Sequence, residues 1–294
     1  MAKLRADEIS EKDISEWIAS CDDFDFELSV FHGCIERGIT ASHGGTYQDP
    51  ITKKDRQFDI RAQLTKGSCT VRMAIECKNL RRNYPLLVSR VPMRTEESYH
   101  EVIISGRRRR KLPTPEPLPQ TDTCRVDGTN LLPPIDYTGK STAQIGRTIS
   151  PPHDLTGGQD TEVFEKWSQA ISSAFGLVKD SVSDYALSNE EEGATVILPI
   201  LVVSDNTLWV ADYPKDGASV CTPRQCDEST LYLGKDINHD ELEPNYTVSH
   251  LLIFTKTKFF GYLHRLLVND NYWSTLFPKN QIEQWFLEYG VKYQ

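Results

Sequence analysis

Two runs of apolar/polar alternation, Phe58 to Leu64 and Val71 to Cys77, form the clearest pattern in the chain. Strand side chains alternate between faces, so Phe58, Ile60, Ala62 and Leu64 point one way and Asp59, Arg61 and Gln63 the other. In the second run Val71, Met73, Ile75 and Cys77 form the apolar set, with Arg72, Ala74, Glu76 and Lys78 opposite. Gly67-Ser68 reads as a two-residue hairpin turn. That turn sets Phe58 against Cys77, Ile60 against Ile75, Ala62 against Met73 and Leu64 against Val71. The same register sets Asp59 opposite Glu76 and Lys78 across from Gln57, on a face expected to be half exposed.

Upstream, apolar residues recur at helical spacing. Ser10 or Asp13 can cap a helix through Trp17 and Ile18, within an N-terminal segment 1–20. A second helix is expected from Asp25 to Arg37, with Phe26, Val30, Phe31 and Cys34 as its stripe, Glu27 beside it and Gly38 as its stop. ITASHGGTYQDP reads as loops around a brief strand. After the hairpin, segment 81–160 departs from this order: the run Arg107 to Lys111, then Pro113, Pro115, Pro117 and Pro119, then Pro133-Pro134 and Pro151-Pro152 predict an irregular insertion. A helix from Thr161 to Tyr185 follows. Then come two apolar strands, ATVILPILVVS and TLWVADY, joined at Asp205-Asn206, and a third strand, HLLIF, from His250. Segment 216–294 reads as an aromatic C-terminal extension packed on the core, with Gln281 to Tyr289 as its clearest helix.

The 294 residues are 38% hydrophobic, enough for a substantial core, and 33 Lys and Arg against 42 Asp and Glu leave a net charge of -9. That sign excludes nonspecific coating of nucleic acid, so any such contact must be local. The N-terminal residues do not resemble a signal peptide and no run of about 18 apolar residues occurs, so the expectation is a cytoplasmic protein with no membrane contact. Seven scattered cysteines point to reduced thiols. The seven histidines show no ligand spacing, and Trp167, Trp273 and Trp285 read as core anchors.

The chemistry of the hairpin follows from its register. Carboxylates directly opposite on adjacent strands lie about 5 Å apart at Cβ, and both ionise comfortably only with a cation between them. Magnesium, with manganese as a substitute, prefers oxygen ligands and suits the pair Asp59 and Glu76. Lys78, on the same face, is placed to orient a water or stabilise a developing phosphate charge, which assembles the parts of metal-assisted phosphodiester hydrolysis. The basic run Arg107, Arg108, Arg109, Arg110 and Lys111 is the candidate phosphate contact, set against a solvated loop. Lys140, Gln144 and Arg147 in KSTAQIGR add contacts if that stretch forms a helix near the metal.

A helix carrying Glu27, a strand carrying Asp59 and the next strand carrying Glu76-x-Lys78 resemble the PD-(D/E)xK nuclease superfamily. The resemblance spans Asp25 to Leu80, and Arg56 and Gln57 are similar to the lead-in residues of Mrr-like members. It implies an α/β, restriction-endonuclease-like αβββαβ core formed by 21–80 and 161–215, a mixed central sheet flanked by helices and a long Pro-rich insertion. It implies that Asp59, Glu76 and the backbone carbonyl of Cys77 bind the metal, that Lys78 is catalytic, and that Glu27, as the helix glutamate, belongs with Asp59, Glu76 and Lys78 to the catalytic set. The substrate implied is nucleic acid, DNA in preference to RNA, in restriction or phage defence. The chain departs from the family pattern where the long insertion replaces a short link. The alternative reading is a noncatalytic module of the same fold, whose acidic surface meets a protein partner or a second copy of the chain.

Overall fold

The computed structural model describes residues 7–21, 23–49, 53–108, 118–129, 131–133, 135–149, 151–157, 161–187, 192–214, 221–237 and 245–288. Two helices open the chain, α1 (Glu11–Cys21) and α2 (Asp23–Ile35). Reciprocal bonds start the first: Ser10 Oγ accepts the Asp13 N–H at 3.2 Å and Asp13 accepts the Ser10 N–H at 2.9 Å. Gly38, with φ +74°, follows the second. Strands β1 (Thr40–Gln48), β2 (Asp55–Lys66) and β3 (Cys69–Lys78) come next, followed by β4 (Leu86–Pro92), β5 (Tyr99–Arg108), β6 (Leu118–Asp127), β7 (Tyr137–Arg147) and β8 (Leu155–Gly157). The long helix α3 (Thr161–Leu187) leads to β9 (Glu192–Val203), β10 (Leu208–Asp212), β11 (Arg224–Gln225), β12 (Glu228–Ile237) and β13 (Tyr246–Thr255). The described chain closes with α4 (Lys256–Val268), α5 (Asp270–Leu276) and α6 (Lys279–Glu288).

The fold is mixed α/β, a large mixed sheet flanked by helices. The sheet runs β1-β2-β3-β9-β13-β12-β7-β4-β10-β11, with β5 joining β9 and β6, and β8 joining β7. At its centre β9 lies parallel to both β3 and β13. Val196, Leu198, Ile200 and Val202 of β9 face α2 and α4, while Ile197, Leu201 and Val203 face α3. A parallel strand covered on both faces needs a continuous apolar run, which is what ATVILPILVVS supplies.

The hairpin register is as predicted, with Ile60 against Ile75, Ala62 against Met73 and Leu64 against Val71, turning at Gly67 with φ +59°. Its polar face, however, is largely covered by α3, with Gln63 left exposed. Ala74 packs with Ile171, Ala174 and Phe175. Arg61 pairs with Asp180 at 2.8 Å and Arg72 with Asp184 at 2.7 Å, two acids one helical turn apart that clamp α3 to β2 and β3.

Three sequence expectations are corrected here. Segment 81–160 is not irregular: it supplies β4 to β8, and Val102, Ile104, Cys124 and Val126 enter the main core. KSTAQIGR is strand β7, not a helix. Gly139 lets its backbone approach β12, since a Cβ there would lie 2.6 Å from the Thr230 carbonyl oxygen. The Gly-Gly of ITASHGGTYQDP does not end its strand but lies inside the nine-residue β1, where a Cβ on Gly45 would sit 2.6 Å from the Phe58 ring.

Candidate functional site

The site forms where β2 and β3 part. Their ladder runs from Lys66 opposite Cys69 to Ile60 opposite Ile75. Beyond that point β2 continues against β1, while Glu76, Cys77 and Lys78 continue against Leu201, Val202 and Val203 of β9. Side chains bridge the opening. Asp59 Oδ2 accepts the Cys77 N–H at 2.8 Å, and Glu76 Oε1 accepts the Asp59 N–H at 3.4 Å. The two carboxylates expected to face each other are therefore brought together, in a wedge between diverging strands at the carboxyl end of a parallel pair. Open α/β sheets place ligands at such ends.

The cation between them comes from α3. Lys166 Nζ lies 2.9 Å and 2.7 Å from the two Asp59 oxygens and 3.4 Å from Glu76 Oε2. It also lies 3.8 Å from Oε1 of Glu27, which α2 supplies. On the far side of Glu27, His43 Nε2 stands 3.6 Å from Oε2, and the ring packs between Phe24 and Phe31. Glu76 is fully buried, whereas the Asp59 and Glu27 side chains retain 13% and 15% of their exposure.

Burial pushes the Glu76 carboxyl well above its ordinary range; the negative charge of Asp59 pushes the same way, and Lys166 only partly opposes them. Burial by itself would lower the Lys166 pKa, but Asp59, Glu76 and Glu27 together outweigh it and hold the ammonium charged. The Cys77 thiol is raised well above its usual range by burial and points into the opposite core, so it is no nucleophile.

Lys78 is corrected. Its ammonium does not join Asp59 and Glu76 but pairs with Asp23 at 2.8 Å, and the other Asp23 oxygen accepts the Asn79 N–H at 2.9 Å. The first residue of α2 thus pins the exit of β3. Gln57, expected across from Lys78, is exposed on the part of β2 that has left the ladder, two residues from Asp59.

The remaining basic candidates lie elsewhere. Arg107 and Arg108 end β5, which meets β9 at Gly106 opposite Glu192, the far end of that strand from Glu76 opposite Leu201. Nine strand residues separate the two ends by about 30 Å. Arg109, Arg110 and Lys111 lie outside the described residues. Lys140 pairs with Glu97 at 2.8 Å and lies over the Tyr232 ring. Gln144 is buried and donates to the Tyr84 carbonyl, and Arg147 donates to the His153 carbonyl.

Lys166 was missed by sequence reasoning although it carries a signal. It falls three residues after Val163 and four before Ala170, both buried, on the apolar stripe of α3. A lysine on such a stripe requires a buried counter-charge. His43 carries no comparable signal.

A divalent ion fits the donor chemistry of this site. Asp59 and Glu76 offer hard carboxylate oxygens, and an ammonium already stands between them as a cation would. Among the described residues no group of three or more His, Cys, Asp or Glu side chains is placed to enclose a metal. The remaining ligands would therefore be water, backbone or substrate oxygens, a mixture that magnesium accepts. Among the described residues no helix is long and apolar enough to cross a membrane. No protein-family model, curated protein or solved structure matches the chain.

Proposed function

We propose that the chain is a magnesium- or manganese-dependent nuclease that hydrolyses phosphodiester bonds, in DNA in preference to RNA, on a restriction-endonuclease-like core. The observation that carries this reading is the pair Asp59 and Glu76 held around a cation where β2 and β3 separate. The order α2, β1, β2, β3 and then, after the intervening β4 to β8, α3 and β9 supports the αβββαβ core. The restriction or phage-defence role rests on the family resemblance alone.

In this reading Asp59, Glu76 and the Cys77 carbonyl hold the ion, which when bound polarises a phosphoryl oxygen and lowers the pKa of a bound water. The Cys77 N–H fixes the Asp59 carboxylate in its rotamer. Asp23 holds Lys78 at the end of β3, beside the site rather than in it. Glu27 sets the negative charge next to Lys166. The N-termini of α2 and α3 approach the same end of the sheet, where their backbone N–H groups favour phosphate. Lys53, Lys54 and Arg56 at the start of β2 and Arg81 and Arg82 beyond β3 are exposed at that end, a local cationic rim on an acidic chain.

The test is cleavage of plasmid, linear duplex and single-stranded DNA and of RNA, with magnesium, manganese or EDTA, by the wild-type chain and by Asp59→Asn and Glu76→Gln. The expected result is metal-dependent cleavage that both substitutions abolish. One observation favours a noncatalytic binding module instead: Lys166 of α3 brings a positive charge to both carboxylates. Nucleic-acid binding without cleavage under every metal condition would select that reading.

A further inference from the structure

The ammonium of Lys166 uses the oxygens a metal would use. It contacts both oxygens of Asp59, one at 2.7 Å and the other at 2.9 Å, and reaches Glu76 Oε2 at 3.4 Å. A magnesium ion sits about 2.0–2.1 Å from its oxygen ligands. A divalent ion and an ammonium bound to the same carboxylate oxygens at those separations repel each other, so each disfavours the other.

The backbone of α3 cannot easily retreat, since Arg61–Asp180 and Arg72–Asp184 clamp it to the sheet. Only the side chain is free to give way. Its four-carbon stem is flexible, and Glu27 Oε1 at 3.8 Å is a carboxylate on the neighbouring helix toward which the ammonium can turn while remaining compensated.

We propose that Lys166 is a built-in competitor for the divalent ion: it occupies Asp59 and Glu76 in the metal-free protein and must turn toward Glu27 before the ion binds. The inference rests on the metal-dependent reading above. It makes metal affinity a difference between two cations rather than a property of the carboxylates alone. The competitor keeps the metal-free fold electrostatically compensated at the expense of metal affinity. Glu27 then acts as a positioning residue for the displaced ammonium.

The experiment titrates Mn2+ into the full chain at pH 8, where protons compete least for the carboxylates, and reads free Mn2+ by electron paramagnetic resonance. Lys166→Met is expected to bind Mn2+ at least tenfold more tightly than wild type. Lys166→Arg, whose planar fork grips carboxylates in a bidentate fashion, is expected to bind it more weakly. Glu27→Gln should weaken binding in the wild-type background and have little effect in the Lys166→Met background, because its role is to receive the lysine. Should Lys166→Met fail to fold, Lys166→Arg keeps the charge and still decides the matter through the direction of its shift. If wild type binds Mn2+ and Lys166→Met binds no tighter, or Lys166→Arg no weaker, the competition is refuted while the metal site stands. If neither wild type nor any variant binds Mn2+ at millimolar concentration, the metal-dependent reading falls and the inference falls with it.

Discussion

Replacing Glu76 by Gln in the metal-free protein separates two accounts of the same contact. Counting contacts, the substitution removes a buried ion pair with Lys166 at 3.4 Å. Two unit charges at that distance attract by about 5 kcal/mol at an effective dielectric constant of about 20. Against this stands the desolvation of an ionised carboxylate in a fully buried position, several kcal/mol per ion, with the repulsion of Asp59 added. The outcome is a Glu76 carboxyl raised well above its ordinary range, by burial first and by Asp59 second. The native protein then keeps a proton that the unfolded chain releases near pH 4.5, the ordinary value for this carboxyl. A group with a raised folded pKa contributes its full stability below the unfolded pKa and loses it as pH rises towards the folded value. Within that window wild type should lose up to about 1.4 kcal/mol per pH unit relative to Glu76→Gln, which has no proton to lose. Urea unfolding in EDTA from pH 4.5 to 8.5 measures the difference. The variant should match wild type to within about 1 kcal/mol at the acid end and become the more stable of the two at the alkaline end. A variant less stable at pH 8.5, or a difference that does not change with pH, would show that Glu76 is ionised and anchored by Lys166.

Three further outcomes can be measured. Burial lowers the pKa values of His100 and His250 to about 4 from 6.5; stability they contribute above pH 6.5 should fall as pH drops towards 4, by up to about 3 kcal/mol for each, and His250→Phe should flatten part of that decline in acid unfolding curves. Gly33→Ala should destabilise by about 1–3 kcal/mol through overpacking, despite alanine's better helix propensity, because its Cβ would lie 2.3 Å from the Phe260 ring where α2 meets α4; an unchanged melting temperature would mean that the ring moves freely. Lys78→Met and Asp23→Asn should each cost about 1 kcal/mol, and a double-mutant cycle should show the losses to be shared rather than added.

Features that depend on neighbours along the chain could be read from residue order. Alternation at Phe58 to Leu64 and Val71 to Cys77, with a two-residue turn, has one register that keeps both apolar sets on one face, and the hairpin adopts it. Helical spacing located α2 and α3, and the apolar run 194–203 located β9, because periodicity is a local consequence of which face meets the core. Through that register Asp59 and Glu76 were legible as a pair. Tertiary structure decided what depends on residues distant in the chain. Prolines and a basic run made 81–160 look irregular, yet its strands find partners in β9, β10 and β12, whose pairing no local pattern encodes. Helix α3 covers a face that alternation marks only as polar, burying Ala74 and Glu76 beneath it. It also delivered the charge of Lys166 to two carboxylates more than eighty residues earlier in the chain. Lys78 shares a face with Glu76 by strand periodicity, but its long side chain is free to choose among nearby acids. Asp23, brought close by the packing of α2, is the acid it pairs with. Periodicity fixes the face on which a charged side chain emerges, and the partner that compensates it depends on which elements the fold packs against that face.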